Sequence, residues 1–69
     1  MKTVKITTEY ITLGQFLKLA DIVNGVGEAK LIIAEGLVEV NGEVDTRRGR
    51  KLRDKDIVTY QKQSYQVEQ

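Results

Sequence analysis

The spacing of the apolar residues changes abruptly at Gly36, and this change restricts the chain to folds that combine helices with a small sheet. Before Gly36 apolar residues recur at helical spacing, whereas valine and glutamate alternate over residues 38–40. The dipeptide Asn41-Gly42 then gives a strong signal for a short hairpin. Because glycine tolerates the left-handed conformation in which many helices end, we predict a helix that ends at about Glu35 and is followed directly by a hairpin.

The first of two predicted helices has well-defined start signals. Thr12 is placed to act as its N-cap, and Gln15 lies three residues later as the partner in a capping box. We expect the helix to run from Leu13 to about Ile22. Its apolar residues at i, i+3, i+4 and i+7 form a core-facing stripe: Leu13, Phe16, Leu17 and Ala20.

The second predicted helix follows a break at Asn24-Gly25 and runs from Val26 or Gly27 to about Glu35. Three of its apolar residues should face the first helix: Ala29, Ile32 and Ile33. Because only a few residues join the two helices, they must pack as neighbours.

Short strands are predicted around these helices. They are an opening strand over residues 4–7, a return strand through Val44, a strand from Ile57 to about Gln61, and a last one around residues 65–67. The hairpin register stays open, because a two-residue turn would place Val44 on the face opposite Val40, whereas a bulge or longer loop would bring the two valines together. We therefore predict an α+β fold in which two short packed helices lie against a small, mostly antiparallel sheet.

The composition excludes several functional classes. The chain has no cysteine and no histidine, which removes disulfides, thiol nucleophiles and the commonest metal ligand and proton carrier. We therefore expect a non-catalytic protein without a cofactor. No apolar run is long enough to span a membrane and no signal peptide is visible, so we expect residues 1–69 to fold as one soluble cytoplasmic domain without a membrane partner.

The positive charge of this chain is concentrated in one short run. Residues 47–53 contain five cationic side chains and no acid, while the rest of the chain holds six bases and ten acids. Such a concentration is expected where a surface attracts an anion such as nucleic acid, although a solvated polar loop would look the same. Leu52, the apolar residue of the run, is predicted to anchor it to the core.

The order of these elements resembles the S4 RNA-binding domain, also called the alpha-L motif. The resemblance covers residues 12–60 and rests on four pieces: Leu13, Phe16 and Leu17, then residues 28–32, 35–43 and 52–58. The chain is similar to stand-alone bacterial S4-domain proteins of the YaaA and YbcJ kind. The resemblance implies binding to structured RNA, often ribosomal RNA, and association with a ribosomal subunit or its precursor during assembly.

The chain departs from the family's common pattern on the helices. Thr12 stands where many members carry arginine, and residues 25–27 read Gly-Val-Gly where Ser-Arg-Arg is frequent. The binding role should therefore shift towards the run at 47–53. The predicted RNA-binding residues are Arg47, Arg48, Arg50, Lys51, Arg53, Lys18, Lys30 and Gly27.

These residues have ordinary structural alternatives. Gly49 is either a turn residue or a point of close backbone approach, and Lys18 and Lys30 are also ordinary surface lysines. The stretch around Gly27 presents free N–H groups to a phosphate or serves only as a connector. The three tyrosines, Tyr10, Tyr60 and Tyr65, are either packing residues or platforms for bases.

A different function is suggested by the acidic residues. Glu39, Glu43 and Asp45 occupy alternating positions that predict a solvated, acidic sheet face. A protein-protein adaptor that meets a basic partner through this face is therefore the alternative to RNA binding.

Overall fold

The computed structural model describes all residues from Met1 to Gln69. It contains two helices, α1 (Leu13–Leu19) and α2 (Val26–Ala34). The strands are β1 (Lys2–Lys5), β2 (Ile11–Thr12), β3 (Val38–Val40), β4 (Glu43–Val44), β5 (Lys51–Leu52), β6 (Ile57–Tyr60) and β7 (Gln63–Glu68). The predicted α+β class is confirmed, and neither helix has the length and apolar character needed to cross a membrane.

Two sheets accompany the helices. The larger one has the order β1-β7-β6-β3-β4, and all its pairs are antiparallel except β1 with β7. The smaller one joins β2 to β5, which belongs to the run of positive charge and was not predicted to be a strand. The opening strand lies two residues earlier than predicted, because its extent is set by parallel pairing of residues 2–5 with residues 65–68.

The core lies between the helices and the larger sheet. The predicted stripe of α1 is buried except for Ala20, which is partly buried against the core, and Leu52 is fully buried as predicted. The buried apolar residues are Ile6, Leu13, Phe16, Leu17, Val23, Ala29, Ile32, Ile33, Val38, Val40, Leu52, Val58 and Val67. Burial of this apolar surface is the main force that holds α1, α2 and the sheets together.

Helix α1 begins as predicted and ends early. Thr12 and Gln15 form the complete capping box. The helix ends at Leu19 rather than near Ile22, because Asp21 adopts a left-handed conformation with φ 62°. The N–H of Ile22 then donates to the carbonyl of Leu17 at 2.9 Å, which closes a Schellman turn. Aspartate is one of the few residues that take this conformation without glycine's freedom.

Helix α2 ends at the predicted glycine. Gly36 has φ 75°, and its N–H donates to the carbonyl of Ile33 at 3.1 Å. The next N–H, that of Leu37, donates to the carbonyl of Ile32 at 3.1 Å. The chain therefore turns directly from α2 into β3, as the change of periodicity predicted.

The β3–β4 hairpin has a two-residue turn. Asn41 and Gly42 have φ of 53° and 88°, which is the pattern of the primed turns that match strand twist. Val40 consequently pairs with Glu43, and Val44 pairs with Glu39 and is exposed. Of the two registers left open by the sequence, the structure adopts the one that separates the valines.

Candidate nucleic-acid interface

Residues 47–53, hereafter the basic loop, are fixed to the start of α1 by backbone hydrogen bonds. The N–H of Leu13 donates to the carbonyl of Arg50 at 2.8 Å, and that of Gly14 donates to the carbonyl of Arg48 at 3.0 Å. These carbonyls occupy the N–H groups that a helix start leaves free, so the start of α1 is not itself open to an anion. The loop backbone faces the helix and its exposed cationic side chains face solvent.

The backbone turns at Gly49 and then enters β5. The N–H of Arg50 donates to the carbonyl of Arg47 at 3.1 Å, which makes Gly49 a central residue of a tight turn. Gly49 is also exposed, and a Cβ placed on it would meet no atom within 4 Å. The turn role is thus present, and the space above Gly49 is open to a close approach.

Asp45 organises one half of the basic loop. Its side chain is only 6% exposed and accepts the Nε–H and Nη2–H groups of Arg47 at 3.1 and 2.8 Å. It also accepts the Arg47 backbone N–H at 2.9 Å and the Nη1–H of Arg50 at 2.8 Å. The hydrogen bonds from Arg47 hold the pKa of the Asp45 carboxyl well below its ordinary value, although burial alone would raise it.

The predicted acidic sheet face does not form, because the two-residue turn pairs Glu39 with Val44 and Glu43 with Val40, which places Glu39 on the face opposite Glu43. Asp45 is in addition withdrawn from solvent. Its carboxylate is buried and bonded to two arginines, Glu39 is half-buried, and only Glu43 is fully exposed. The prediction failed because alternation does not continue through a two-residue turn, which pairs even-numbered with odd-numbered positions. Alternation also cannot show that a carboxylate will be buried beside arginines that follow it. The spacing to Arg47 did contain a signal, since aspartate often bonds the backbone N–H two residues later.

Arg48 packs over a buried glycine of α1. A Cβ added to Gly14 would lie 2.7 Å from Cγ of Arg48, so only glycine leaves room for that side chain. Lys18 is exposed four residues further along α1, which is the spacing of neighbours on one helix face. Two of the predicted binding residues, Arg48 and Lys18, therefore flank the same face of α1. No local pattern in the sequence indicates the role of Gly14.

The two predicted residues of α2 are exposed and form no contact with the basic loop through hydrogen bonds or ion pairs. Lys30 is unpaired, and Gly27 has open space around it. The start of α2 has no side-chain cap, but Glu28 lies in its first turn and accepts the backbone N–H of Asn24 at 2.9 Å. A carboxylate at this position already compensates the positive helix end, which weakens Gly27 as a seat for phosphate.

The other half of the basic loop surrounds an exposed tyrosine. Nζ of Lys51 lies 4.9 Å from the centre of the Tyr10 ring, and the Arg53 guanidinium lies 5.6 Å from it. Arg53 also approaches the exposed Glu9 at 3.7 Å. Tyr10 is 40% exposed, whereas Tyr60 and Tyr65 are partly buried and pack against the core.

Together these features define a small α+β domain that carries a rigidly supported basic surface at the start of its first helix. The sequence profile of the S4 domain family matches residues 4–68, and the chain belongs to this family. The resemblance found in the sequence is thereby confirmed.

Two similar proteins are informative. The chain is 56% identical over 55 residues to a Bacillus subtilis (strain 168) protein named probable ribosome maturation protein RlbA, an alignment that covers 80% of this chain and 78% of that protein. It also superposes on the crystal structure of the 30S ribosomal protein S4e from Thermoplasma acidophilum with a TM-score of 0.65 and 26% identity. That superposition covers 87% of this chain but only 32% of the ribosomal protein.

Proposed function

We propose that this protein is a non-catalytic cytoplasmic protein that binds folded RNA, in particular ribosomal RNA, during ribosome maturation. Membership of the S4 domain family and similarity to a protein named for ribosome maturation support this function. The binding surface consists of the basic loop, extended along α1 by Lys18. Lys30 and Gly27 on α2 form its periphery.

The observation that carries this proposal is the charge of the segment that surrounds the loop. Residues 45–53 contain five cationic side chains and one acid, so they retain a net charge of +4 even though Asp45 is occupied by arginine. Three of the cations, Arg48, Lys51 and Arg53, are exposed, and of these only Arg53 has a carboxylate within 4 Å, that of the exposed Glu9 at 3.7 Å. A near-neutral chain thus presents a concentrated field to an approaching polyanion.

The pairing of Arg47 and Arg50 with Asp45 supports binding. A guanidinium carries five N–H donors, of which Asp45 takes two from Arg47 and one from Arg50. The remaining donors are available to phosphate oxygens, and the Arg47 side chain is 69% exposed. Asp45 therefore reduces the net charge of the segment by one but fixes the orientation of two guanidinium groups. This lowers the conformational entropy that is lost when RNA binds.

This surface is suited to the RNA backbone more than to base sequence. Arginine forks match phosphate geometry, and paired RNA presents its phosphates and 2′-hydroxyls while its base edges are poorly accessible. The affinity should therefore fall steeply with salt, by about 0.7 to 0.9 log units per log unit of salt for each phosphate contacted.

The test is a salt titration of binding to ribosomal RNA fragments, followed by fluorescence anisotropy. The variant Arg48→Gln/Lys51→Gln/Arg53→Gln should bind more weakly and reduce the salt slope by about two to three units. The matched control removes three exposed lysines outside the loop, as Lys2→Gln/Lys55→Gln/Lys62→Gln. Equal losses of RNA affinity in both variants would show that only the total charge of the protein matters. Unchanged affinity in the loop variant would exclude the basic loop as the binding site.

The proposed cellular role needs a separate measurement. Crosslinking in cells, followed by sequencing of the attached RNA, should recover ribosomal RNA with the wild-type protein and much less with the loop variant. Recovery of protein complexes that persist after nuclease treatment, without enriched RNA, would instead support the adaptor function.

A further inference from the structure

Tyr10 occupies a special place beside the basic loop. Ile11 pairs with Leu52 and Thr12 pairs with Lys51. Tyr10, which directly precedes β2, therefore lies across from Arg53. Leu52 is buried, so Lys51 and Arg53 project from the opposite, outer side of β5, where the Tyr10 ring meets them. An exposed aromatic ring is thus held against two cations.

The same tyrosine lines an open groove of about 760 Å³ on the side formed by residues 5–11 and α1. Its apolar lining includes Ile11 and Leu19, and Leu19 is 53% exposed. Lys51 and Arg53 do not line this groove. Tyr10 therefore stands between a positively charged edge and a cleft of mixed apolar and polar lining whose size is that of a small-molecule site.

We infer that this groove receives an unpaired nucleotide of the bound RNA, with its base stacked on Tyr10 and its phosphate at Lys51 and Arg53. This inference rests on the proposed function and identifies the RNA feature that the site distinguishes. A base inside a duplex has both faces covered by its neighbours, so only a bulged, looped or terminal nucleotide can stack on a protein ring.

The polar groups of the groove fix the orientation of the nucleotide. Glu9 and Lys5 both line the groove, so its lining carries no net charge, and the phosphate is attracted instead to the cationic edge formed by Lys51 and Arg53. Gln15 also lines the groove; its Oε1 accepts the N–H of Thr12 in the capping box, and its Nε2 forms no hydrogen bond within the protein. That amide can donate to an acceptor on the base edge.

The experiment compares two RNA hairpins of identical stem sequence, one of which carries a single unpaired uridine. Wild-type protein should prefer the bulged hairpin. Tyr10→Leu, which keeps apolar bulk without the aromatic face, should lower affinity for the bulged hairpin by about 5- to 150-fold and leave the paired hairpin within about twofold. Tyr10→Phe is the matched control and should retain the preference.

A second measurement uses wild-type protein only. With 5-iodouridine at the unpaired position, irradiation should couple the RNA to Tyr10, identified by mass spectrometry, because a stacked ring is the favoured acceptor. Coupling only to other residues would overturn the inference. An equal loss of affinity for both hairpins in Tyr10→Leu would also overturn it, because that result would mean that Tyr10 merely positions Lys51 and Arg53.

The two proposals can fail separately. If wild-type protein binds both hairpins equally and the Arg48→Gln/Lys51→Gln/Arg53→Gln variant weakens both, the basic surface is upheld and the nucleotide site is rejected. If wild-type protein binds neither hairpin nor ribosomal RNA at low salt, both are rejected.

Discussion

The carboxylate of Asp45 lies 2.8 Å from Nη2 of Arg47 and accepts a second hydrogen bond from Nε of the same guanidinium. A buried acid thus sets the direction of an exposed cation. This contact connects the stability of the domain to the geometry of its proposed binding surface, because the same carboxylate also holds Arg50.

Replacing Asp45 by asparagine should weaken the domain. Asp45→Asn keeps the shape of the side chain but loses the charge that strengthens four hydrogen bonds. We expect the free energy of unfolding to fall by about 1 to 3 kcal/mol in urea denaturation. Glu43→Gln is the control, since Glu43 is exposed and unpaired, and a similar loss in both variants would contradict the assigned role.

The carboxyl group of Asp45 should also make the free energy of unfolding depend on pH in the acidic range. Its pKa is held below the ordinary value of 3.8, chiefly by the hydrogen bonds from Arg47, so its contribution is complete above that value and is lost as the pH falls below it. The urea midpoint of wild-type protein should therefore decline below about pH 4. Asp45→Asn should show a shallower decline, and parallel profiles would be inconsistent with this linkage.

The absence of a side chain at Gly14 should determine the position of the Arg48 side chain. A methyl group at Gly14 would lie 2.7 Å from Cγ of Arg48, so Gly14→Ala must displace that side chain from the face of α1. RNA affinity should fall about as much as in Arg48→Ala, and the double variant should show little additional loss.

Stability provides the second readout for this pair. Alanine is favoured over glycine in a helix by about 1 kcal/mol. Gly14→Ala should therefore raise the free energy of unfolding in the Arg48→Ala background, where the clash is relieved, and raise it less in wild type. Independent, additive effects on both affinity and stability would show that the two residues do not interact.

Asn41 should be required for the register of the β3–β4 hairpin. It has φ 53°, and its side chain accepts the N–H of Ile57 at 2.9 Å and donates to Asp56 at 3.0 Å. Asn41→Ala loses these bonds and strains the turn, and we expect a loss of about 1 to 3 kcal/mol in unfolding free energy. Asn41→Gly keeps the conformation and loses only the bonds, so it should be less damaging; the reverse order would contradict this explanation.

Local signals in the sequence were sufficient to predict much of the fold. The capping box at Thr12, the glycine end at Gly36 and the turn at Asn41 each involve residues within a few positions of one another. The early end of α1 was missed because Asp21 adopts a conformation for which glycine is the usual signal.

The site was harder to predict because its decisive contacts join distant segments. Arg48 meets Gly14, and Lys51 meets Tyr10, across more than thirty residues of chain. The sequence showed the run of cations as a cluster of charge, but it did not show that Gly14 and Tyr10 would contact the side chains of this run. Periodicity identifies which residues face a core, whereas it does not identify which surface side chains will become neighbours after folding.

The parallel pairing of β1 with β7 has a consequence for biosynthesis. Lys2 lies opposite Tyr65, so the first strand has no sheet neighbour until the last strand has been translated. Closing a pair so distant in sequence is slow compared with forming α1 and α2. During translation the helices can associate early, and the edge of the larger sheet is completed only after residues 65–68 have been synthesised.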